Sequence, residues 1–121
     1  MDLVVIDLGH GGKDSGAVDN GLREKDLTLE IGKRIGVYLE GRVDVQYTRT
    51  MDNLVELSAR AAYANKLGAD KGQTAAVRSK THAKVAAVFA KYELRDRGKK
   101  KADFAVVRET KMPAVLLEYG F

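Results

Sequence analysis

His10 stands inside the glycine-rich run Gly9-His10-Gly11-Gly12, directly after an apolar stretch that closes on Asp7. Glu24 immediately precedes the strongest helical pattern of the chain, and Glu118 ends the apolar run Ala114-Val115-Leu116-Leu117. A carboxylate in such a run is out of character unless it has a partner. One imidazole and two carboxylates suit a hard-to-borderline divalent cation. Zinc comes first, because His and Glu around an open water position form a hydrolytic arrangement. Each residue also has a plainer reading: His10 as a hydrogen-bonded loop residue, Glu24 as a first-turn acid, Glu118 as the partner of an arginine. With no cysteine in the chain, any metal must rest on His, Asp, Glu or water, and the only histidines are His10 and His82. Phosphate-loop readings fail on the letters. Starting from Gly9, the third glycine of a dinucleotide fingerprint falls on Asp14. The Gly12-Lys13 pair has Asp7 where a P-loop needs its first glycine and Asp14 where it needs Ser or Thr.

These side chains need elements to position them. Residues 3–7 read as a buried strand opening into the glycine loop. From Asp26, taken as the N-cap, Leu27, Ile31, Ile35, Tyr38 and Leu39 recur at helical spacing, and Gly41 supplies a stop. Val43, Val45 and Tyr47 alternate with polar residues, which predicts a strand near a sheet edge. Leu57, Ala61, Ala64 and Leu67 predict a second helix ended by Gly68, and Val85, Val88, Phe89 and Tyr92 a third over 77–92. Residues 104–107 and 114–117 are β-rich, and Pro113, the only proline, introduces the second run. Alternating strands and helices predict an α/β domain: a mostly parallel sheet flanked by helices, with ligands collecting beyond the carboxyl ends of the strands. Between Gly68 and Ser79 there is no convincing strand, although a helix-to-helix passage in a parallel fold ordinarily includes one.

Composition narrows the classes. The 121 residues suffice for one domain, 1–121, and 45% hydrophobic with 31% charged residues excludes a disordered tail. A formal charge of +4 is a mild excess that favours acidic partners without selecting one. A nucleic-acid-binding reading rests on that charge alone and lacks the interleaved aromatics of a single-strand platform. No stretch is long and apolar enough for a membrane span, and the start lacks the basic segment and apolar run of a secretory signal.

The residues Val5-Ile6-Asp7-Leu8-Gly9-His10-Gly11-Gly12-Lys13-Asp14-Ser15-Gly16-Ala17 and Gly21-Leu22-Arg23-Glu24-Lys25-Asp26 resemble the opening of the zinc-dependent N-acetylmuramoyl-L-alanine amidases, the type 3 peptidoglycan amidases. Thr48-Arg49-Thr50-Met51-Asp52, Leu57 with Arg60, Ala64-Asn65, Leu94-Arg95-Asp96-Arg97-Gly98 and the run from Arg108 to Phe121 continue the resemblance in order, nearly end to end. It implies that His10 is the first zinc ligand, Glu24 the second and Glu118 the catalytic carboxylate. The implied substrate is peptidoglycan, cut at the amide between N-acetylmuramic acid and L-alanine of the stem peptide by zinc-activated water. Action at the cell wall or outside the cell is implied too, with a separate wall-binding domain in the native protein.

One departure stands against these matches. After an Ala-Asp pair like Ala69-Asp70, the family places a Ser-Ile-His-x-Asn strand whose histidine is the third zinc ligand. Here Asp70 is followed by Lys71-Gly72-Gln73. Two readings stay open: residues of a longer native chain are absent around 70–72 and after 121, or this is a shortened variant with a two-ligand site. The latter includes a non-catalytic, degenerate wall-binding module. His82, at the start of the third helix, reads as a surface or boundary histidine rather than a replacement ligand. Arg95, Arg97, Lys99, Lys100 and Lys101 read as a solvated turn, with anionic wall polymers or substrate carboxylates as the sharper alternative. Arg108, expected at a strand end, is a candidate for orienting a carboxylate.

Overall fold

The computed structural model describes residues 2–68, 83, 87, 90, 91, 93 and 104–111. In chain order the elements are β1 (Leu3–Ile6), β2 (Val18–Asp19), β3 (Leu22–Arg23), α1 (Glu24–Leu39), β4 (Asp44–Tyr47), α2 (Leu57–Leu67) and α3 (Ala105–Glu109). β1 and β4 pair in parallel with Leu3 opposite Asp44 and Ile6 opposite Tyr47, so α1 is the crossover that a parallel pair requires. β2 and β3 form a small antiparallel hairpin on the Asn20-Gly21 turn, both of whose residues have positive φ. This is the α/β arrangement expected from the sequence, with a parallel sheet and helices. The alternation of β4 is also as expected: Val45 and Tyr47 are half-buried, while Asp44 and Gln46 are exposed.

α1 begins two residues before the expected N-cap, because its first orphan amides are satisfied from outside the helix. Glu24 N–H donates to the Ala17 carbonyl (2.9 Å) and Lys25 N–H to that of Ser15 (3.0 Å), so the glycine loop caps the helix and Asp26 is freed for Arg23. The buried face of α1 also differs from the expected stripe. Lys25, Gly32 and Gly36 are its buried residues; Leu27, Ile31, Ile35 and Leu39 flank them half-buried, and Tyr38 is turned out with Arg42 over its ring. A Cβ at Gly32 would collide with Leu8, and one at Gly36 with the Tyr47 hydroxyl, so small residues set how closely α1 lies on the sheet.

α2 ends where expected, with Gly68 in the left-handed conformation accepting the C-cap role. Ala61 and Ala64 are buried as expected, whereas Leu57 and Leu67 are exposed. Residues 83, 87, 90 and 91 are helical, in keeping with the third expected helix. Residues 104–107 depart from expectation. Their β-branched valines belong to the short helix α3, which packs against α2 and ends on the side chain of Asn65. That amide donates to the Glu109 carbonyl (3.0 Å) and accepts from Lys111 N–H (2.8 Å), a tertiary contact that outweighs the local β preference. The expected strand at 114–117, the thin stretch 69–79, His82 and the basic run 95–101 lie outside the described residues.

Candidate active site

The carboxyl end of β1 carries the site, and buried cations hold it. Leu8 is 1% exposed; around it lie Lys25, Arg49 and Arg60 at 7%, 4% and 3%. Buried charges need partners: Lys25 pairs with Asp52 and Arg60 with Asp7, while Arg49 is held by carbonyl and hydroxyl oxygens alone. Arg49 donates from Nε to the Leu8 carbonyl (2.7 Å) and from Nη2 to those of Gly9 (3.0 Å) and Lys25 (2.9 Å). Arg60 donates from Nη1 to the Asp7 carboxylate and the Leu8 carbonyl (both 2.7 Å). From Nη2 it donates to the His10 carbonyl (2.8 Å), and from Nε to Val55 (2.9 Å). Burial, followed by the neighbouring Arg60 charge, lowers the Arg49 pKa from its usual value, while Asp52 and Asp7 oppose the shift. The three carbonyls of residues 8–10 thus all accept from guanidinium donors, which fixes the backbone from which His10 projects.

A second clamp grips the loop further on. Lys25 Nζ donates to the Gly12 carbonyl (2.9 Å) and to Asp52 (2.8 Å), and Asp52 accepts Gly12 N–H (2.7 Å). The Lys25 ammonium, then the Gly12 amide, hold the exposed Asp52 carboxyl below the usual carboxylate range.

Within this frame His10 adopts a left-handed backbone, φ 61°, uncommon for a residue with a Cβ, and its ring turns back toward the start of α1. Its Nε2 lies 3.2 Å from Glu24 Oε2, and its Nδ1 lies 2.9 Å from Asp14 Oδ2. Glu24 Oε2 also accepts Ala17 N–H (2.9 Å), and Asp14 Oδ1 accepts Gly16 N–H (3.0 Å). The His10 hydrogen bond, then that from Gly16, lowers the Asp14 pKa from its ordinary value. Gly16, at φ +64°, sits where a Cβ would come within 2.7 Å of both Glu24 Oε2 and the His10 ring. Only a glycine lets the loop cross so close to the pair. The His10 and Glu24 side chains are 33% and 23% exposed, so the pair is open on one side.

His10 and Glu24, separated by fourteen positions in sequence, therefore meet. Two donors on one tetrahedral zinc lie about 3.3–3.6 Å apart, from metal–ligand distances of about 2.0–2.2 Å. The observed 3.2 Å is just short of that spacing, so a small opening of the pair would admit the ion. Among the described residues no third His, Asp or Glu joins them to complete a metal-binding group. Glu118 lies outside the described residues. Arg108 is on α3, not at a strand end, and its guanidinium lies 3.4 Å from Glu109. Four supporting residues, Asp14, Lys25, Arg49 and Arg60, were not singled out as functional from sequence. Arg60 carried a legible signal, a charge set between Leu57 and Ala61 on a helix face expected to be buried.

A sequence profile described as N-acetylmuramoyl-L-alanine amidase matches residues 4–72, more than half of the chain. The chain belongs to this amidase family. Curated relatives extend the match over essentially all of it. The endolysin of Bacillus phage SPP1 is 39% identical, covering 98% of this chain and 54% of its own length. The N-acetylmuramoyl-L-alanine amidase CwlM of Bacillus licheniformis is 38% identical (100% and 57%), and the sporulation-specific N-acetylmuramoyl-L-alanine amidase of Bacillus subtilis is also 38% identical (100% and 56%). The chain thus spans somewhat more than half the length of these relatives.

Solved structures agree with the amidase fold. The catalytic domain of CwlV from Bacillus (Paenibacillus) polymyxa var. colistinus superposes with a TM-score of 0.76 at 33% identity, covering 93% of this chain and 76% of that one. AmiC2 of Nostoc punctiforme gives 0.80 at 33% identity, covering 93% and 75%. The match to CwlM runs over 147 positions, whereas this amidase chain has 121 residues. At least 26 positions of the relative therefore have no counterpart here.

Proposed function

We propose that this chain is the catalytic part of a peptidoglycan hydrolase that cleaves the amide between N-acetylmuramic acid and the L-alanine of the stem peptide, with zinc held by His10 and Glu24. The observation that carries the reading is the convergence of His10 Nε2 and Glu24 Oε2 to 3.2 Å on a loop whose carbonyls two buried arginines immobilise. A bound zinc would supply Lewis acidity toward the scissile carbonyl and toward an attacking water. The chain's own residues do the rest. His10 offers a neutral nitrogen donor, and Glu24 offsets part of the cation's charge. Glu118 is the carboxylate that takes the water proton and returns it to the leaving amine as the carbon–nitrogen bond breaks. Membership of the amidase family and the relatives' activities support the substrate class, and the endolysin among them supports action at the cell wall. Their greater length is compatible with a separate wall-binding domain in the native protein.

The third ligand belongs, in this reading, to a segment that the relatives possess and this chain lacks. The family match stops at residue 72, where Lys71-Gly72-Gln73 replaces the expected histidine strand, and the alignment gap of at least 26 positions supports the same view. That gap also favours a second reading, a degenerate module that binds walls without cutting them. Zinc retention after dialysis together with muropeptide cleavage separates the two. On the hydrolase reading the native protein, with the segment that carries the third ligand, retains zinc and releases free stem peptide. Glu118→Ala then abolishes release with zinc still bound, and His10→Ala loses the metal. Metal-free protein that still sediments with walls overturns the hydrolase. An intact mass of 13.2 kDa for the native protein overturns the missing-segment explanation.

A further inference from the structure

We infer that Asp14 is the positioning residue of this site, holding the His10 ring by Nδ1 so that Nε2 is turned to the cation it would share with Glu24. The inference rests on the zinc reading above and adds a residue to it. The two oxygens of Asp14 have separate tasks. Oδ2 lies 2.9 Å from His10 Nδ1, while Oδ1 accepts Gly16 N–H at 3.0 Å. The backbone makes this return possible, because Gly11 N–H donates to the Asp14 carbonyl (2.9 Å) and Asp14 N–H to that of Gly11 (3.1 Å). The four-residue turn so closed brings the carboxylate back against the ring.

A backbone amide can only donate, so Oδ1 must accept. Oδ2 therefore accepts from His10 Nδ1–H, while Nε2 faces a second acceptor, Glu24 Oε2, at 3.2 Å and is the nitrogen that gives up its hydrogen when a cation lies between the two. Of the isosteric pair Asp and Asn, only Asp accepts on both oxygens. An Asn that keeps the Gly16 bond turns its NH2 toward Nδ1, which selects the opposite tautomer and puts a proton where the metal would bind. An Asn that keeps the His10 bond sets NH2 against Gly16 N–H instead. Carboxylates placed this way behind metal-bound histidines typically account for about ten- to a hundredfold in metal affinity.

The test measures zinc affinity by competition with a chromophoric chelator in the wild type, Asp14→Ala, Asp14→Asn, His10→Ala and Asp52→Asn. Asp52 clamps Gly12 in the same loop but does not contact His10, so its variant reports what loosening the loop does by itself. The second readout is the exchangeable Nδ1–H resonance of His10 in cobalt-substituted protein, which a purely structural role would not move. Both Asp14 variants are expected to bind zinc about ten- to a hundredfold more weakly and to lose the resonance to solvent exchange. Asp52→Asn is expected to lose less affinity than either Asp14 variant and to keep the resonance. Should Asp14→Ala fail to fold, the isosteric Asp14→Asn decides. Wild-type affinity in the Asp14 variants, an equal loss in Asp52→Asn, or a resonance that persists without Asp14 overturns the inference. If His10→Ala binds zinc as well as the wild type, or the wild type binds none, the zinc reading itself falls. If His10→Ala loses zinc and the Asp14 variants do not, only the role of Asp14 falls.

Discussion

Arg60→Ala is expected to be the most damaging single change away from His10 and Glu24, and its size follows from the bonds it removes. The guanidinium is 3% exposed and donates to the Asp7 carboxylate and to the carbonyls of Val55, Leu8 and His10. Leu8 O keeps Arg49, and Asp7 keeps the Thr48 hydroxyl at 2.7 Å, but the His10 and Val55 carbonyls lose the side-chain donor that now holds them. Stranding a buried acceptor costs about 1–3 kcal/mol, and removing one member of a buried ion pair about 3–5 kcal/mol. Asp7 is 29% exposed and retains a hydrogen bond, so its share is small, and the two carbonyls at about 1.5 kcal/mol each set the total, about 3 kcal/mol. That is about a hundredfold in the folding constant. With a urea m-value of about 1.5 kcal/mol/M, the unfolding midpoint should fall by about 2 M. Arg60→Lys keeps a charge for Asp7 but cannot fork to four acceptors, so it should recover only part of the loss. A double-mutant cycle with Asp7→Asn should show clear coupling. A midpoint shift in Arg60→Ala corresponding to less than about 1 kcal/mol, or strictly additive effects with Asp7, would refute the reasoning.

Three further outcomes follow from the same geometry. Gly16→Ala places a methyl within 2.7 Å of Glu24 Oε2 and the His10 ring at a φ that disfavours a Cβ. Zinc uptake should drop sharply, and stability should fall by about 1–3 kcal/mol, read by metal analysis and thermal unfolding. Asn65→Ala removes both bonds that hold residues 109–111 to α2. It should cost about 1–2 kcal/mol and accelerate hydrogen exchange at Lys111 N–H, while exchange within β1 stays unchanged. Asp52 carries a depressed pKa through Lys25 and Gly12 N–H, so it binds fewer protons in the folded than in the unfolded state. Its contribution is present above the unfolded value near 3.8 and is lost as pH falls through the lower folded value. Asp52→Asn should therefore be less stable at neutral pH and should decline less steeply over that acid window, measured by urea unfolding against pH.

How much of this was legible from letters differs from residue to residue. β4, the stops at Gly41 and Gly68, and the meeting of His10 with Glu24 could all be read, because period-2 alternation, left-handed caps and a glycine loop after a strand are local signals. The start of α1 was not legible, since carbonyls of Ala17 and Ser15 cap it in place of its own Asp26. Tyr38 was misplaced because the buried face of α1 is set by Gly32 and Gly36 lying against Leu8 and Tyr47, and glycines carry no hydrophobic signal. The helix at Ala105–Glu109 was hidden by its valines, whose β preference yields to packing on α2 and to the Asn65 clamp. The buried cations were the least legible feature. Lys25 and Arg49 look like solvated charges until the carbonyls they serve, mostly more than twenty residues away, are brought beside them, and only Arg60 stands out, on a helix face expected to be buried.

Zinc-edge anomalous diffraction from zinc-loaded crystals tests the central claim most directly. The expected result is one peak bonded to both His10 Nε2 and Glu24 Oε2 at about 2.0–2.2 Å, with His10 Nδ1 still turned to Asp14. A map with no peak between those two side chains, or with the imidazole and the carboxylate pointing apart, would contradict it.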